Sequence, residues 1–276
     1  MLDATPNTTP MQRSHGRAVV ALRRHGDRVA LDRLEQAGSA KAILPRSHTP
    51  SPEVVFLNTS GGLTSGDRLQ FSVDLAAGVR ASATTQTAER AYRANGLPAQ
   101  VRVTASVGRG GRLDWLPQET ILFEASALHR ETVIDLEADA ACLICETVIL
   151  GRHAMGEHPV AARLTDRRVI RRDGRPVLID SLRLDSEVLA AAARPAVLGG
   201  ARAFCLIALV APDAACALAP LRAVLDEPGV TAAASAFDHK CLLRLTARDG
   251  WPLRRQIIRA LAVLRPGHPL PRVWQA

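Results

Sequence analysis

The sequence contains few aromatic residues and almost no lysine. Aromatic residues make up 3% of the 276 residues, with a single tyrosine, Tyr92. Lysine occurs only as Lys41 and Lys240, so the formal net charge of +8 comes almost entirely from arginines scattered along the chain. Proteins that bind single-stranded nucleic acids stack bases on aromatic side chains, and nucleic-acid-binding domains cluster their basic residues. The sequence therefore argues against a nucleic-acid partner.

The sequence also lacks a long hydrophobic run and an even set of cysteines. The longest apolar run, Ala203 to Ala211, is shorter than the roughly 20 residues that a membrane-spanning helix needs. Residues 1–13 are polar and lack the apolar stretch of a signal peptide. The five cysteines lie mostly in apolar runs, as free thiols do in a reducing compartment. We therefore expect a cytoplasmic protein with no membrane association and no disulfide framework.

Signatures of hydrolytic, nucleotide-binding and zinc-binding sites are missing as well. The sequence has no Gly-x-Ser-x-Gly motif and no histidine pair with metal-ligand spacing. Cys142 and Cys145 form a Cys-x-x-Cys, but in a strand this spacing places the two thiols on opposite faces. Gly61 and Gly66 have P-loop spacing, yet Asp67 stands where the phosphate-binding lysine is required. We therefore expect none of these sites.

The pattern that is present is one of short apolar segments separated by turn signals. From Ala18 onward these segments follow one another closely, and residues 101–107 alternate apolar and polar side chains with the period of a half-buried strand. Such a succession predicts a mainly β fold. We expect residues 1–13 to form a disordered leader and residues 14–185 to form a large antiparallel β-rich body of many short strands.

The composition changes after about Ser186, where alanine becomes frequent. Two helices are predicted, Asp213 to Leu225 and Pro252 to Leu264. The second begins with a proline at a favourable first position and ends before Pro266 and Gly267. We expect residues 186–276 to form a smaller α+β part that packs on the body. Because no linker is visible, the two parts could equally form one domain.

A glycine-rich turn lies between two strand-like runs at residues 58–69. Gly61, Gly62 and Gly66 allow positive φ angles or a very close approach of another group, and Asp67 follows them directly. On turn chemistry alone, a tight connection between two strands explains this stretch as well as a binding loop does.

Several segments, spread over most of the chain, together match one family. They are Gly61-Gly62-Leu63, Gly66-Asp67-Arg68-Leu69, Thr84-Thr85-Gln86, Tyr92-Arg93, Trp115 to Phe123, Gly151-Arg152, Gly156-Glu157 and Pro271-Arg272-Val273-Trp274. In this order they resemble the urease accessory protein family UreD, also called UreH. The family usually has two prolines before the Gly-Gly pair, where this chain has Thr59 and Ser60. The resemblance marks as family-motif or partner-binding positions Gly61, Gly62, Gly66, Gln86, Tyr92, Arg93, Trp115, Arg152, Arg272 and Trp274.

The resemblance implies a maturation factor and not an enzyme. Such a protein is a scaffold that binds apo-urease and, together with UreF and with the GTPase UreG reached through UreF, assists the delivery of nickel to the urease active site. It holds nickel only in transit and has no tightly bound cofactor. Two other hypotheses stay open: an uncharacterised enzyme that uses the Gly61–Asp67 loop, and a β-rich binding module for another acidic macromolecule.

Four carboxylates lie in or next to the matching segments: Asp67, Glu119, Glu146 and Glu157. Glu146 interrupts the apolar run from Ala141 to Leu150, where a charge is costly unless it is paired or faces a cation. Incompletely coordinating oxygens bind Ni²⁺ weakly, which suits transit. We hypothesise that these carboxylates line a nickel route. The competing interpretation is that each one pairs with an arginine or faces solvent.

Overall fold

The computed structural model describes residues 13–46 and 51–275. The disordered leader expected at residues 1–13 lies outside these residues except for Arg13. The described strands are β1 (His15–His25), β2 (Arg28–Gly38), β3 (Ala40–Ile43), β4 (Glu53–Asn58), β5 (Arg68–Leu75), β6 (Arg80–Thr85), β7 (Glu89–Ala91), β8 (Ala99–Val107), β9 (Arg112–Trp115), β10 (Thr120–Leu122), β11 (Ala127–Leu136), β12 (Ala141–Leu150), β13 (Arg163–Arg172), β14 (Arg175–Leu184), β15 (Ala203–Val210), β16 (Val230–Phe237) and β17 (Lys240–Ala247).

Short helical elements accompany the strands, mainly after β14. The α-helices are α1 (Ser186–Ala190), α2 (Leu218–Arg222) and α3 (Gly250–Leu264), and 3-10 turns occur at His153–Met155, Ala214–Ala217 and Arg272–Trp274. The prediction of a mainly β chain with a few helices near its C-terminal end is confirmed.

The strands form two sheets between which the chain alternates. The seven-stranded sheet has the order β14-β13-β11-β8-β5-β1-β2, and the ten-stranded sheet has the order β16-β17-β15-β12-β9-β6-β4-β3, with β10 beside β12 and β7 beside β10. Strands β5, β8 and β11 belong to the seven-stranded sheet. Each is followed in the chain by a strand of the ten-stranded sheet, namely β6, β9 and β12. Because the chain visits the opposite sheet before it returns, successive strands of one sheet run parallel.

The direction of the strands corrects the expectation of an antiparallel body. The centres of both sheets are parallel, and antiparallel pairs such as β1 with β2, β3 with β4 and β13 with β14 lie towards the edges. A short turn such as Ala76–Gly78 joins strands of different sheets here, whereas in a hairpin it would join neighbours. The alternation of inward and outward side chains is the same in both arrangements, so the sequence pattern does not distinguish them.

The main hydrophobic core lies between the two sheets. In β8 the residues at positions 101, 103, 105 and 107 are buried, as the alternation predicts. Phe56 of the ten-stranded sheet contacts Phe71 of the seven-stranded sheet, with ring centroids 4.6 Å apart. This burial of apolar surface from both sheets is the main force that holds the two layers together.

A second core lies between the other face of the ten-stranded sheet and α3. The helix buries Leu253, Ile257, Leu261 and Leu264, as predicted. It begins two residues earlier than expected, because Asp249 caps it and accepts a hydrogen bond from the Trp251 N–H at 2.7 Å. The predicted helix from Asp213 to Leu225 is instead a 3-10 turn followed by the short α2. Pro220, which lacks an N–H donor, lies inside this segment and disfavours one continuous helix.

Strand β12 faces both cores. Cys142 belongs to the core between the sheets and Cys145 to the core beneath α3, so the prediction that their side chains lie on opposite faces is confirmed. Burial raises the pKa of Cys142 to about 12. The Cys145 Sγ lies 3.7 Å from the Cys205 Sγ of the neighbouring strand. Cys142 and Cys145 are both buried, and each packs in its own core.

The C-terminal strands extend the sheet of the body. Strand β15 pairs antiparallel with β12, and β17 follows as its next neighbour. The division into two parts at residue 186 stays a prediction. Within residues 13–46 and 51–275, no helix is long and apolar enough to span a lipid bilayer.

Candidate functional site

The segments that match the family converge at one edge of the ten-stranded sheet. Strands β4, β6, β9 and β12 run parallel there, so their carboxyl ends share an edge. The segments that follow them are residues 58–67, 85–93, 115–123 and 150–157, and we call these four segments the motif edge. Topology thus brings together motifs that lie far apart in the sequence.

Backbone pairing holds the segments of the motif edge side by side. Leu63, Ala91, Leu122 and Leu150 lie next to one another in parallel register. The Leu63 N–H donates to the Arg90 carbonyl at 2.7 Å, and the Gly151 N–H donates to the Leu122 carbonyl at 2.8 Å. These four apolar side chains are buried, so the row belongs to the core and positions the loops above it.

The glycine-rich turn accommodates a tyrosine ring. Gly61, Gly62 and Gly66 all have positive φ angles, and a Cβ atom on Gly62 would lie 2.3 Å from the Tyr92 ring. The Tyr92 ring packs edge-on against Phe123 at 5.0 Å. The Arg152 guanidinium lies 4.7 Å from the centre of the Phe123 ring. The turn therefore has a packing role, and Tyr92 and Arg152 form a partly exposed stack.

Thr59 and Ser60, which stand where the family resemblance implies two prolines, both use their backbone N–H groups. Thr59 N donates to the Ser39 carbonyl at 2.8 Å, and Ser60 N donates to Asn58 Oδ1 at 3.1 Å. A proline at either position has no N–H to donate. This turn is therefore held by hydrogen bonds that a Pro-Pro pair does not make.

Asp67 closes the glycine-rich turn through both carboxylate oxygens. Its Oδ1 accepts from the Ser14 N–H and its Oδ2 from the Thr64 N–H, each at 2.8 Å. The side chain is buried at 4% exposure. Asp67 thereby ties the turn to the start of β1, and its oxygens are already hydrogen-bonded.

Two other carboxylates of the predicted route have arginine partners. Glu119 Oε2 lies 3.6 Å from Arg254 Nη1, and Glu157 Oε2 accepts a hydrogen bond from Arg152 Nε at 2.8 Å. The Glu157 carboxylate also accepts from the backbone N–H of Glu124. Gln86 and Arg93 are exposed at the motif edge. In the part of the chain that the structure describes, no three His, Cys, Asp or Glu side chains lie close enough to hold a metal ion.

Glu146 belongs to a group of charges buried between the two sheets. Glu146 extends from β12, and Arg130, Asp166 and Arg168 extend from β11 and β13 of the facing sheet. We call these four residues the buried charge cluster. Arg168 Nε donates to Glu146 Oε2 at 2.6 Å, and Arg130 Nε donates to Asp166 Oδ1 at 2.9 Å. Each of the four side chains is at most 6% exposed.

Neutral side chains complete the hydrogen bonding of the buried charge cluster. Glu146 Oε1 accepts from Trp115 Nε1 at 3.0 Å and from Thr132 Oγ1 at 2.7 Å. The Thr120 hydroxyl accepts from Arg130 Nη1 at 3.1 Å. Since Trp115 and Thr120 belong to the motif edge, the buried charge cluster lies directly beneath that edge.

The charges around Glu146 keep it ionised. Burial alone would raise its pKa, but the guanidinium groups of Arg130 and Arg168 outweigh burial and lower the pKa of Glu146 to about 2. Arg168 Nη1 also pairs with Asp180 at 3.0 Å, and Asp180 pairs with the exposed Arg244 at 2.6 Å. A continuous line of charged groups therefore runs from beneath the motif edge to the surface.

Glu89 is a second unusual carboxyl group of the motif edge. Its two oxygens accept from the Asn58 side-chain amide, each at 3.2 Å. Burial raises the pKa of Glu89 to about 7 despite these hydrogen bonds. Glu89, Gly61 and Gly62 line a small cavity of about 60 Å³. The carboxyl group of Glu89 therefore titrates near neutral pH.

Sequence reasoning missed Arg130, Asp166, Arg168 and Glu89. A signal for the first three was available: Arg130, Asp166 and Arg168 share the inward alternation phase of their apolar neighbours in β11 and β13. Glu89 lies inside a segment already recognised as a family motif. Its raised pKa depends on burial, which is not visible in the chain order.

The C-terminal turn packs against the motif edge. Trp274 is 3% exposed, and its Nε1 donates to the Leu116 carbonyl at 2.9 Å. The Arg254 guanidinium lies 4.7 Å from the centre of the Trp274 ring, and its Nη1 donates to Gln118 Oε1 at 2.9 Å. Arg272 has an exposed side chain. Trp274 therefore contacts this chain's own residues and anchors the segment that carries Arg272.

Comparison with known proteins gives one consistent result. A family model described as UreD urease accessory protein matches residues 14–275. A Cereibacter sphaeroides protein named Urease accessory protein UreD is 60% identical over 271 residues, which cover 98% of each chain. A protein of the same name from Paracoccus denitrificans is 58% identical over 265 residues, covering 96% of this chain and 93% of the relative. One from Rhizobium leguminosarum bv. trifolii is 44% identical over 274 residues, 99% of each chain.

Proposed function

This chain belongs to the UreD family of urease accessory proteins, and from that membership we propose that it is a non-enzymatic scaffold for urease maturation. It binds apo-urease, binds UreF directly and UreG through UreF, and assists the delivery of nickel to the urease active site in the cytoplasm. Nickel is its cargo in transit and not a resident cofactor. The observation that carries the proposal is the family match over residues 14–275.

We propose the motif edge as part of the partner-binding surface. Tyr92 is 39% exposed and Met155 is 72% exposed, and the Arg152 side chain lies over Phe123 next to them. Exposed aromatic, methionine and arginine side chains are enriched at protein interfaces. The C-terminal turn supports this surface from below, because Trp274 packs against the segment that contains Leu116 and Gln118.

The alternatives have less support in the geometry. An enzyme that uses the Gly61–Asp67 loop needs a free functional group there, but the Tyr92 ring packs against Gly62 and Asp67 is hydrogen-bonded through both oxygens. A binding module for another acidic macromolecule rests on the net charge alone. Neither alternative explains why the family motifs converge at one edge.

The nickel route stays part of the proposal. Glu146 is an ionised carboxylate buried between the sheets, directly beneath the motif edge. The contacts of all four carboxylates support structural roles, and their place on a nickel route remains a prediction.

The test of the proposed function is urease maturation in cells with and without this chain. Urease subunits, UreF and UreG are co-expressed in both cases, and the nickel content and activity of the purified urease are measured per mole of active sites. We expect apo-urease without the chain and nickel-loaded urease with it, together with co-purification of the chain with UreF. Full nickel loading in its absence would contradict the proposal.

The nickel route is tested separately with Glu146→Gln. We expect the variant to co-purify with urease and UreF while the recovered urease contains less nickel. The matched control is Glu35→Gln, which makes the same change in an exposed ion pair of β2. If the Glu146 variant assembles and delivers a full nickel complement, nickel does not depend on this carboxylate.

A further inference from the structure

A cavity of about 330 Å³ lies outside the motif edge segments and the buried charge cluster. It is bounded by the start of β4, by β6 and by the segment after α3, and its lining includes Arg46, Glu53, Arg265 and Arg272 together with His268. Its volume is at the lower end of the roughly 300–1,000 Å³ that is typical of small-molecule sites. The cavity therefore has room for a compact ligand.

One of the cavity's arginines is part of its wall. Arg265 is buried at 4% exposure, and it donates to Asp114 Oδ2 and to Ser82 Oγ, each at 2.7 Å. Asp114 also accepts a hydrogen bond from Arg112 Nε at 2.8 Å, so its one negative charge is shared between two arginines. Arg265 is held in place by its hydrogen bonds and forms a fixed part of the cavity wall.

The other two arginines carry unbalanced charge. Within residues 13–46 and 51–275, the guanidinium groups of Arg46 and Arg272 make no ion pair or hydrogen bond, and both side chains are exposed at the cavity. Planar guanidinium groups bind carboxylates through paired hydrogen bonds. The cavity therefore favours a ligand that has carboxylate groups.

Glu53 favours a hydrogen-bond donor on the ligand, in contrast to the two arginines. The residue is 9% exposed, and its Oε1 is buried with no hydrogen-bond partner among the described residues. Its Oε2 accepts only a long hydrogen bond, 3.4 Å, from the Arg272 backbone N–H. Burial raises the pKa of Glu53, while Arg265 and Arg272 oppose the rise. A buried carboxylate oxygen that lacks a hydrogen-bond donor destabilises the protein. A ligand N–H group that donates to this oxygen removes that cost.

We propose that this cavity binds an acidic α-amino acid such as L-glutamate. The ammonium group of the ligand binds the Glu53 carboxylate, and its two carboxylates bind Arg46 and Arg272. The arginines of the cavity outnumber its one carboxylate, so the cavity favours a ligand of net negative charge, which an acidic amino acid has. The proposal concerns small-molecule binding and does not depend on urease maturation.

The test is isothermal titration calorimetry of the full-length chain with L-glutamate and with glutarate, which lacks the ammonium group. We expect saturable binding of L-glutamate and at least about tenfold weaker binding of glutarate, as the loss of one charge-assisted hydrogen bond predicts. Glu53→Gln should weaken L-glutamate binding about tenfold and leave glutarate binding unchanged. This variant removes an unpaired buried charge, so we expect it to fold.

Three further variants complete the design. Arg272→Gln should weaken the binding of both ligands, and Arg46→Gln serves the same purpose if Arg272→Gln does not fold. Arg68→Gln, an exposed arginine on β5 outside this cavity, is the matched control and should change neither affinity. Absence of saturable L-glutamate binding, equal affinity for glutarate, or an unchanged affinity in Glu53→Gln would each overturn the proposal.

Discussion

At the scale of single residues, Glu146 shows how a charge is kept between two sheets. Its carboxylate accepts hydrogen bonds from Arg168, Trp115 and Thr132, so a neutral side chain at this position leaves the two arginines of the buried charge cluster undercompensated. We predict that Glu146→Gln lowers the free energy of unfolding at pH 7 by about 3 kcal/mol, because breaking one member of a buried ion pair leaves the other charge unpaired. Urea unfolding measures this change.

The pH dependence of the same variant is a second readout. The pKa of Glu146 is lowered to about 2 in the folded chain, so its stabilising contribution is present above the unfolded value of 4.5 and is lost as pH falls towards 2. The difference between wild type and Glu146→Gln should therefore shrink below pH 4.5. The control is Glu157→Gln, whose partner Arg152 is exposed, with an expected loss of at most about 1 kcal/mol. Equal losses in the two variants would contradict the prediction.

Glu89 should show the opposite dependence on pH. Its folded pKa of about 7 lies above the unfolded value of 4.5, so its contribution is fully present below pH 4.5 and is lost as pH rises through 7. Glutamine stays neutral and still accepts from Asn58. We predict that Glu89→Gln gains stability relative to wild type between pH 5 and pH 8, by on the order of 2 kcal/mol. Urea unfolding at both pH values measures the gain.

The control for Glu89 is Glu119→Gln, which changes a more exposed carboxylate of the same motif edge. Its stability relative to wild type should stay nearly constant over the same pH range. If the free energy of unfolding of Glu89→Gln changes with pH as that of wild type does between pH 5 and pH 8, the wild-type carboxyl group titrates outside this pH range.

At the scale of elements, α3 and the C-terminal turn act together on the segment that follows β9. Trp274 donates to the Leu116 carbonyl, and Arg254 of α3 contacts both the Trp274 ring and Gln118. Trp274→Phe keeps most of the ring packing but removes the indole N–H. We predict a loss of about 1 kcal/mol and faster amide hydrogen exchange at residues 115–119, since the Leu116 carbonyl loses one of its two side-chain donors and keeps only Thr84 Oγ1.

Trp251→Phe is the control for that experiment, because Trp251 lies on α3 like Arg254 and its side chain is 61% exposed. It should change neither stability nor exchange at residues 115–119. If Trp274→Phe exchanges like wild type in this segment, the C-terminal turn does not hold the motif edge.

The elements also show what sequence patterns reveal and what they leave out. The alternation in β8 and the apolar stripe of α3 were predicted, because each depends on side chains close together in the chain. The parallel order of the sheets was not predicted, since inward and outward alternation is independent of strand direction. Glu146 stands out in the sequence because it interrupts an apolar run, while its partners Arg130 and Arg168, which come from the opposite sheet, stayed hidden.

At the scale of the whole molecule, the ten-stranded sheet joins the body to the C-terminal part. Strand β12 is paired with β9 on one side and with β15 on the other. A fragment of residues 13–185 therefore exposes the long apolar edge of β12, and such an edge promotes aggregation. We predict that this fragment is insoluble when it is expressed under conditions in which the full chain, as the control, is recovered in the soluble fraction.

Sedimentation of the cell lysate, followed by size-exclusion chromatography of any soluble material, measures that outcome. A soluble, monomeric fragment that unfolds cooperatively would instead support a domain boundary near residue 186. The same measurement therefore tests the division of the chain that its change in composition suggests.

The link between β9 and the C-terminal segment also has a consequence for the order of events during synthesis. Asp114 and Leu116 leave the ribosome long before Arg265 and Trp274, which bind them in the finished protein. Until translation is complete, Asp114 has only the neighbouring Arg112 as an ion-pair partner, and the Leu116 carbonyl lacks its indole donor. A chain that terminates early therefore cannot complete the motif edge, so only full-length copies present that edge in its final form.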